Sequence, residues 1–217
     1  MQKQVKGFTL IELLIVIGII AILATVVILT LNPAELLRQS RDTTRFSDLS
    51  TLNSAIALYL SEVPASYLGT STTNGLTSGW CFVSLSVSST LNDGGVAPNA
   101  PASTCGGRFT GAATIATVAA KTSRAVDGTG WIPINFTAVG TGSPIPNLPV
   151  DPVSPNTYGT DIGTSTDDFF YAYAVGNNGT YEVNTRVESQ KFASSSMNDG
   201  GNHSVLYEVG TNPGLGL

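Results

Sequence analysis

Lys6-Gly7-Phe8-Thr9-Leu10-Ile11-Glu12-Leu13-Leu14-Ile15-Val16-Ile17 opens an apolar run that continues to Leu31. From Phe8 to Leu31 the run is 24 residues long, and Glu12 is its only charged side chain. As an α-helix it extends about 36 Å, enough to cross a hydrocarbon core of roughly 30 Å. Lys3 and Lys6 lie in the short polar head before it. That basic flank predicts a cytoplasmic N-terminus, with the rest of the chain on the far side of the membrane. A carboxylate in such a segment costs up to a few kcal/mol in lipid, so Glu12 needs a partner or a function. A cleaved secretory signal fits poorly, because its apolar region is usually only about 7–15 residues long. A plain signal anchor with a tolerated acid is the bland alternative.

The same residues carry a family resemblance. The leader ending in Gly7, followed by Phe8-Thr9-Leu10-Ile11-Glu12-Leu13-Leu14-Ile15-Val16-Ile17, resembles the class III signal of type IV pilins and type II secretion pseudopilins. The likeness covers Lys6 to about Ala24. It implies that a prepilin peptidase cuts between Gly7 and Phe8, that the new amine of Phe8 is methylated, and that the subunit enters a helical filament. It also implies that Glu12 pairs with the N-terminal amine of a neighbouring subunit. Elementary electrostatics agrees. Glu12 lies roughly 6 Å along the helix from Phe8, so a staggered neighbour's amine suits it better than its own. On this reading the acid cannot be satisfied in lipid and is neutralised only on assembly.

Composition sets the frame for the remainder. The chain has 217 residues, enough for one membrane helix and one globular domain. Charged residues are only 12%, about half the usual fraction; a loop-rich extracellular β domain fits. Removing Lys3 and Lys6 with the leader takes the net charge from −5 to −7, before the amine of Phe8 is counted. An acidic domain argues against a general grip on nucleic-acid phosphates, so no nucleic-acid partner is expected. Cys81 and Cys105 are the only two cysteines. Outside the cytoplasm they are expected to form a disulfide worth roughly 3–4 kcal/mol on the chain-entropy account. Two buried thiols are the alternative, and two thiols with one histidine make a poor zinc site.

Along the chain, residues 1–7 read as leader, 8–32 as the membrane and filament-core helix, and 33–63 as an amphipathic helix. Pro33 predicts a kink between the two helices. Leu49, Leu52, Ile56, Tyr59, Leu60 and Val63 form an apolar stripe at helical spacing. Arg38, Arg41 and Arg45 recur nearly one turn apart, with Glu35, Asp42 and Asp48 among them. They read either as a solvated face or as a contact face between subunits. The helix should end before Pro64.

Residues 64–130 form the region that is a variable loop in the resembled family. Within it, 80–87 alternates like a strand, Asn92-Asp93-Gly94-Gly95 reads as a turn, and 111–126 reads as a short helix. Residues 131–217 read as an antiparallel sheet and a C-terminal loop. Residues 131–136 are expected to be its first strand. Leu148-Pro149-Val150-Asp151-Pro152 loosely resembles the Leu-Pro-x-Asp-Pro connector of major pseudopilins, without the tryptophan and glycine that often follow. Residues 169–175 and 180–187 flank Gly176-Asn177-Asn178-Gly179 and predict a hairpin. Tyr181, Val183, Thr185 and Val187 fall on one face of it, and Glu182, Asn184 and Arg186 on the other. Residues 204–209 make a last strand, and the tail from 210 is expected to be loose.

Few residues invite chemistry. Met197-Asn198-Asp199-Gly200-Gly201-Asn202 is oxygen-rich, and pseudopilins hold calcium in a loop of this region. A hard cation wants six to eight oxygens, and only Asp199 is acidic here, so an Asp-Gly turn is favoured over a calcium loop built on Asn198 and Asp199. His203 is the only histidine. No nucleophile elbow, phosphate loop or metal-ligand cluster accompanies it, and no catalytic residue is assigned.

The sequence therefore predicts an α+β fold: a long N-terminal helix packed on an antiparallel sheet of about four strands. The expected role is structural rather than enzymatic, with no cofactor apart from the calcium loop just weighed. The expected partners are further copies of the chain, the prepilin peptidase, the inner-membrane assembly machinery and, before assembly, membrane lipid. The expected location is the cytoplasmic membrane in a single pass, then an extracellular or periplasmic filament. A surface pilus serving adhesion, motility or DNA uptake is preferred, because the loop at 64–130 is long. A secretion pseudopilin is the runner-up, and a membrane-anchored binding module or enzyme comes third.

Overall fold

Apolar side chains all round, a threonine cap at one end and an asparagine–proline pair at the other define the first helix. α1 runs Leu10–Leu31 and is capped by Thr9. A computed structural model of the chain describes residues 7–64, 68–69, 80–84, 117–120, 123–153, 169–176 and 179–214. Within α1, Leu10–Ile28 has a mean hydropathy of 3.0 and is long and apolar enough to cross a membrane. Its hydroxyls are not left bare: Thr25 donates to the Ala21 carbonyl and Thr30 to that of Val26. That back-bonding lets threonine sit in an apolar helix.

Asn32 breaks the helix with φ 41° and ψ 73°, a left-handed conformation that asparagine tolerates better than most residues. Pro33 then begins α2, Pro33–Glu62. Its missing N–H costs nothing in the first turn, and its fixed φ suits that position. Val63 ends α2 in an extended conformation before Pro64, as the pre-proline restriction requires.

α2 buries Leu49, Leu52, Ala55, Ile56 and Tyr59 against the sheet, as the stripe predicts. Each fully buried Leu or Ile contributes about 1.5–3 kcal/mol by transfer alone. The sheet has five strands in the order β2-β1-β3-β4-β5. They are β1 Trp80–Val83, β2 Thr117–Ala120, β3 Tyr171–Val175, β4 Tyr181–Arg186 and β5 Leu206–Gly210. Four of them, β1, β3, β4 and β5, form an antiparallel set, and β2 adds in parallel to the edge of β1. The hairpin is β3–β4, in register from Val175 opposite Tyr181 to Tyr171 opposite Thr185. Tyr171, Tyr173, Val175, Tyr181 and Val183 point into the core beneath α2.

Several expectations are corrected. Residues 117–120 are a strand, not part of a helix; β-branched threonine and valine suit the pairing with β1. Residues 131–136 are not a strand. Pro133 lacks a ladder donor, and the segment instead makes one bridge, Asp127 to Asn135, before a short 3₁₀ turn at Phe136–Ala138. It still belongs to the core: Trp131, Ile132, Ile134 and Phe136 are fully buried. The Trp131 indole donates to the Pro149 carbonyl at 2.9 Å, and Arg124 donates to that of Leu148 at 2.6 Å. Glu182 and Asn184, on the face opposite α2, are also buried. The tail is not loose as far as Gly214, whose N–H donates to Glu182 Oε2 at 3.1 Å. The turn at 92–95 and the hairpin residues Asn177 and Asn178 lie outside the described residues.

Candidate functional site

Three polar constructions stand out: the start of α1, the junction of α2 with the sheet, and the loop before β5.

At the start of α1, Gly7 and Phe8 precede the cap in exposed, non-helical chain, and Phe8 is 88% exposed. A side chain at Gly7 would meet nothing within the subunit. Glu12 does not wait unsatisfied, contrary to the expectation from sequence. Its Oε2 accepts from the Thr9 N–H at 2.9 Å and from the Thr9 hydroxyl at 2.7 Å, while its own N–H donates to Thr9 Oγ1 at 3.3 Å. This is a capping box, in which Thr-x-x-Glu satisfies donors at both ends of the first turn. The pattern Thr9-Leu10-Ile11-Glu12 is present in the sequence, inside a run that reads first as a membrane span. Internal bonds reduce the cost of holding the carboxylate in an apolar setting. The second oxygen, Oε1, is absent from these contacts, and Glu12 as a residue is exposed.

At the junction, Arg38 keeps the solvated character expected of the stripe, half-exposed with a long i,i+3 contact to Glu35, whereas Arg45 does not. Arg45 is fully buried within its own subunit. It grips Asp151 with two parallel bonds, Nε to Oδ2 at 2.7 Å and Nη2 to Oδ1 at 3.0 Å. Nη1 meets Asp42 Oδ1 at 2.7 Å and Glu188 Oε2 at 3.2 Å. Asp42 in turn accepts from the backbone N–H groups of Glu188 and Ser189. Arg41 closes the network on Glu188, while Arg38 makes only long contacts at 3.9 and 3.8 Å. The Arg45 guanidinium also lies 4.5 Å from the Phe169 ring centroid. Burial opposes the charge on Arg45. Hydrogen bonds and attraction from Asp151, then Asp42 and Glu188, overcome that and raise its pKa. Arg41 beside Glu188 holds that carboxyl below its ordinary range. A buried pair of this kind is costly to break from one side. It ties α2 to the connector before the hairpin and to the chain after β4. No local sequence signal announces Asp151 or Glu188 as partners of Arg45, since both are more than 100 positions away.

In the loop before β5, Asp199 Oδ1 accepts from the Gly201 N–H at 2.9 Å, and Oδ2 from the Glu208 N–H at 2.7 Å. Asn198 donates to the Ser194 carbonyl at 2.8 Å. Glu208 accepts from the His203 N–H at 2.9 Å, so His203 lies beside the turn as a structural neighbour. The Cβ of any residue replacing Gly201 would fall 2.0 Å from Glu208 Oε2, which explains the glycine. Both oxygens of Asp199 thus serve backbone amides. Among the described residues no three His, Cys, Asp or Glu side chains converge to hold a metal ion. The Asn198 amide and both Asp199 oxygens are engaged within the loop in this arrangement. Cys81, buried in β1, is disulfide-bonded; Cys105 lies outside the described residues.

The fold and the N-terminal site together define an α+β protein with an apolar helix of membrane-spanning length at its N-terminus and a capped glutamate in that helix's first turn. Residues 2–28 match the family model described as the prokaryotic N-terminal methylation motif, the motif of type IV pilin-like and pseudopilin proteins. No curated protein and no solved structure matches the chain.

Proposed function

We propose that the chain is the structural subunit of a type IV pilus-like filament. The observation that carries this reading is Glu12, capped by Thr9, as the one ionisable side chain of a membrane-length helix that bears the methylation motif. In this reading a prepilin peptidase cuts the Gly7–Phe8 bond, and the amine of Phe8 is methylated. The subunit waits in the cytoplasmic membrane with its N-terminus inside, and the inner-membrane assembly machinery draws it into the polymer. The cationic amine of a neighbouring Phe8 then pairs with the second oxygen of Glu12. An apolar helix exposed at every position described along it in the single subunit supports a polymer in which copies cover one another.

The globular domain is cargo displayed for adhesion, motility or DNA uptake. A disulfide from Cys81 to Cys105 would tie β1 to the variable region at 64–130. The described residues offer no constellation that argues for an enzyme, and the function proposed is structural. A pseudopilin of a type II secretion system is the second reading. What favours it is the Leu148–Asp151 connector, whose aspartate is the two-point partner of Arg45.

Electron microscopy of sheared cell-surface material, with mass spectrometry of the fibres, tests the reading. Long surface fibres composed of this chain are expected. Fibres found only in the periplasm would move the assignment to the pseudopilin, and their absence in both places would sink it.

A further inference from the structure

We propose that the end of the domain nearest α1, Arg38 on α2 with Lys191 in the loop after β4, is a docking surface for the anionic phospholipid headgroups of the membrane that α1 spans. The proposal rests on α1 as a membrane anchor and goes beyond the assembly reading.

Depth comes first. The Gln190 N–H donates to Glu35 Oε1 at 2.9 Å. Glu35 lies four positions past Leu31, across the left-handed Asn32, so its rise is about 6 Å only if the two helices stay near coaxial. The headgroup layer on each side of a bilayer is roughly 5–7 Å thick. If the apolar span ends at Leu31 and the helices stay near coaxial, the Gln190–Lys191 corner therefore sits at headgroup depth. The chain reaches that corner by running back toward α1: Asp42 accepts from Glu188 and Ser189, and then Glu35 accepts from Gln190. Phe192 turns it away again by packing edge-on to Phe46, with centroids 5.2 Å apart.

Charge comes second. Of ten lysines and arginines, Lys3 and Lys6 belong to the leader, and four of the remaining eight are Arg38, Arg41, Arg45 and Lys191. Arg45 is buried on Asp151 and Asp42, and Arg41 is closed on Glu188, so the cations this end offers to its surroundings are Arg38 and Lys191. The acids among them are withdrawn. Asp42 is fully buried on Arg45, Glu188 is 13% exposed and held by Arg41 and Arg45, and Glu35 is 19% exposed and takes the Gln190 amide. Arg38 is 49% exposed with only long contacts to Glu35 and Glu188. Lys191 is exposed, has no ion pair among the described residues, and lies 5.2 Å from the Phe192 ring. Outward cations over inward acids suit phosphodiester oxygens, and long basic side chains reach back toward an interface. Leu36 and Leu37, about half exposed on the same turn, face the acyl boundary without penalty.

The test uses the full chain in lipid nanodiscs of phosphatidylcholine alone, or of a phosphatidylcholine–phosphatidylglycerol mixture. Acylation of Lys191 by a water-soluble reagent is followed by peptide mass spectrometry. Anionic discs are expected to slow it several-fold, high salt to restore the rate, and Arg38→Gln to reduce the protection without shifting the melting temperature. Equal rates in the two discs overturn the proposal. So does protection that survives high salt, or equal protection by glycerol phosphate added in solution to phosphatidylcholine discs. A chain that fails to co-elute with either disc overturns the anchor reading itself.

Discussion

Arg45 and Asp151, 106 positions apart, meet through two parallel hydrogen bonds with neither side chain exposed to solvent. Removing Asp151 takes away the two-point partner and leaves Arg45 only Asp42 and Glu188, at a cost toward the lower end of the about 3–5 kcal/mol for a broken buried pair. Asp151→Asn in the full chain is therefore expected to lower the melting temperature by roughly 10 °C, given about 2–4 °C per kcal/mol for a domain of this size. An Arg45→Met, Asp151→Leu double variant leaves the fully buried Asp42 without its guanidinium and should not recover the loss. A circular-dichroism melt that left Asp151→Asn unchanged would show that the pair contributes nothing.

Two glutamates should give opposite pH dependences. The Glu188 carboxyl is held down by Arg41 and Arg45, so the stability it adds is present above its unfolded value of 4.5 and lost as pH falls. Glu188→Gln should destabilise near neutrality, and the gap to the parent should close in acid. Burial pushes Glu208 up, and Asp199 nearby adds to the shift. Its contribution is present below 4.5 and lost as pH rises through the raised value. Glu208→Gln should thus match the parent in acid and gain on it toward neutrality. Melting temperatures across this range check both signs.

At the start of α1, Glu12→Ala removes the second oxygen and the capping acceptor together. Membrane insertion should persist while sheared fibres disappear; normal fibre yield would refute the assembly role. Thr9→Val removes only the cap, at a cost of about 1 kcal/mol, so fibres should form in reduced amount. The mature chain should begin at a methylated Phe8, read directly by mass spectrometry.

Leu52 is fully buried between α2 and the sheet. Leu52→Ala should cost about 2–5 kcal/mol, the upper end if the tyrosines below cannot close in. A chemical-denaturation midpoint measures it.

The legible parts of the fold were those with local periodicity. The stripe from Leu49 to Tyr59, the stop before Pro64 and the β3–β4 hairpin all follow from spacings of three to four, or two, residues. Trp131–Phe136 misled because alternation alone marks a strand, whereas Pro133 and core burial on both sides turned the segment into an irregular lining. Arg45 misled for a different reason. A charge on a helix face reads as solvated until its partners are known, and those of Arg45 come from Asp151 and Glu188. The candidate assembly site was legible as residues, with Glu12 conspicuous in its apolar run, but Thr9 as its partner came only with the capped turn.

Asn32 is the sole residue between two helices that together account for 52 positions, 22 in α1 and 30 in α2. Everything that steers the anchor relative to its load passes through two torsion angles. The heading of α1 relative to the body that Arg45 holds together is therefore set at one left-handed residue. Replacing Asn32 with a helix former would weld the two rods into one shaft and give the anchor a different heading.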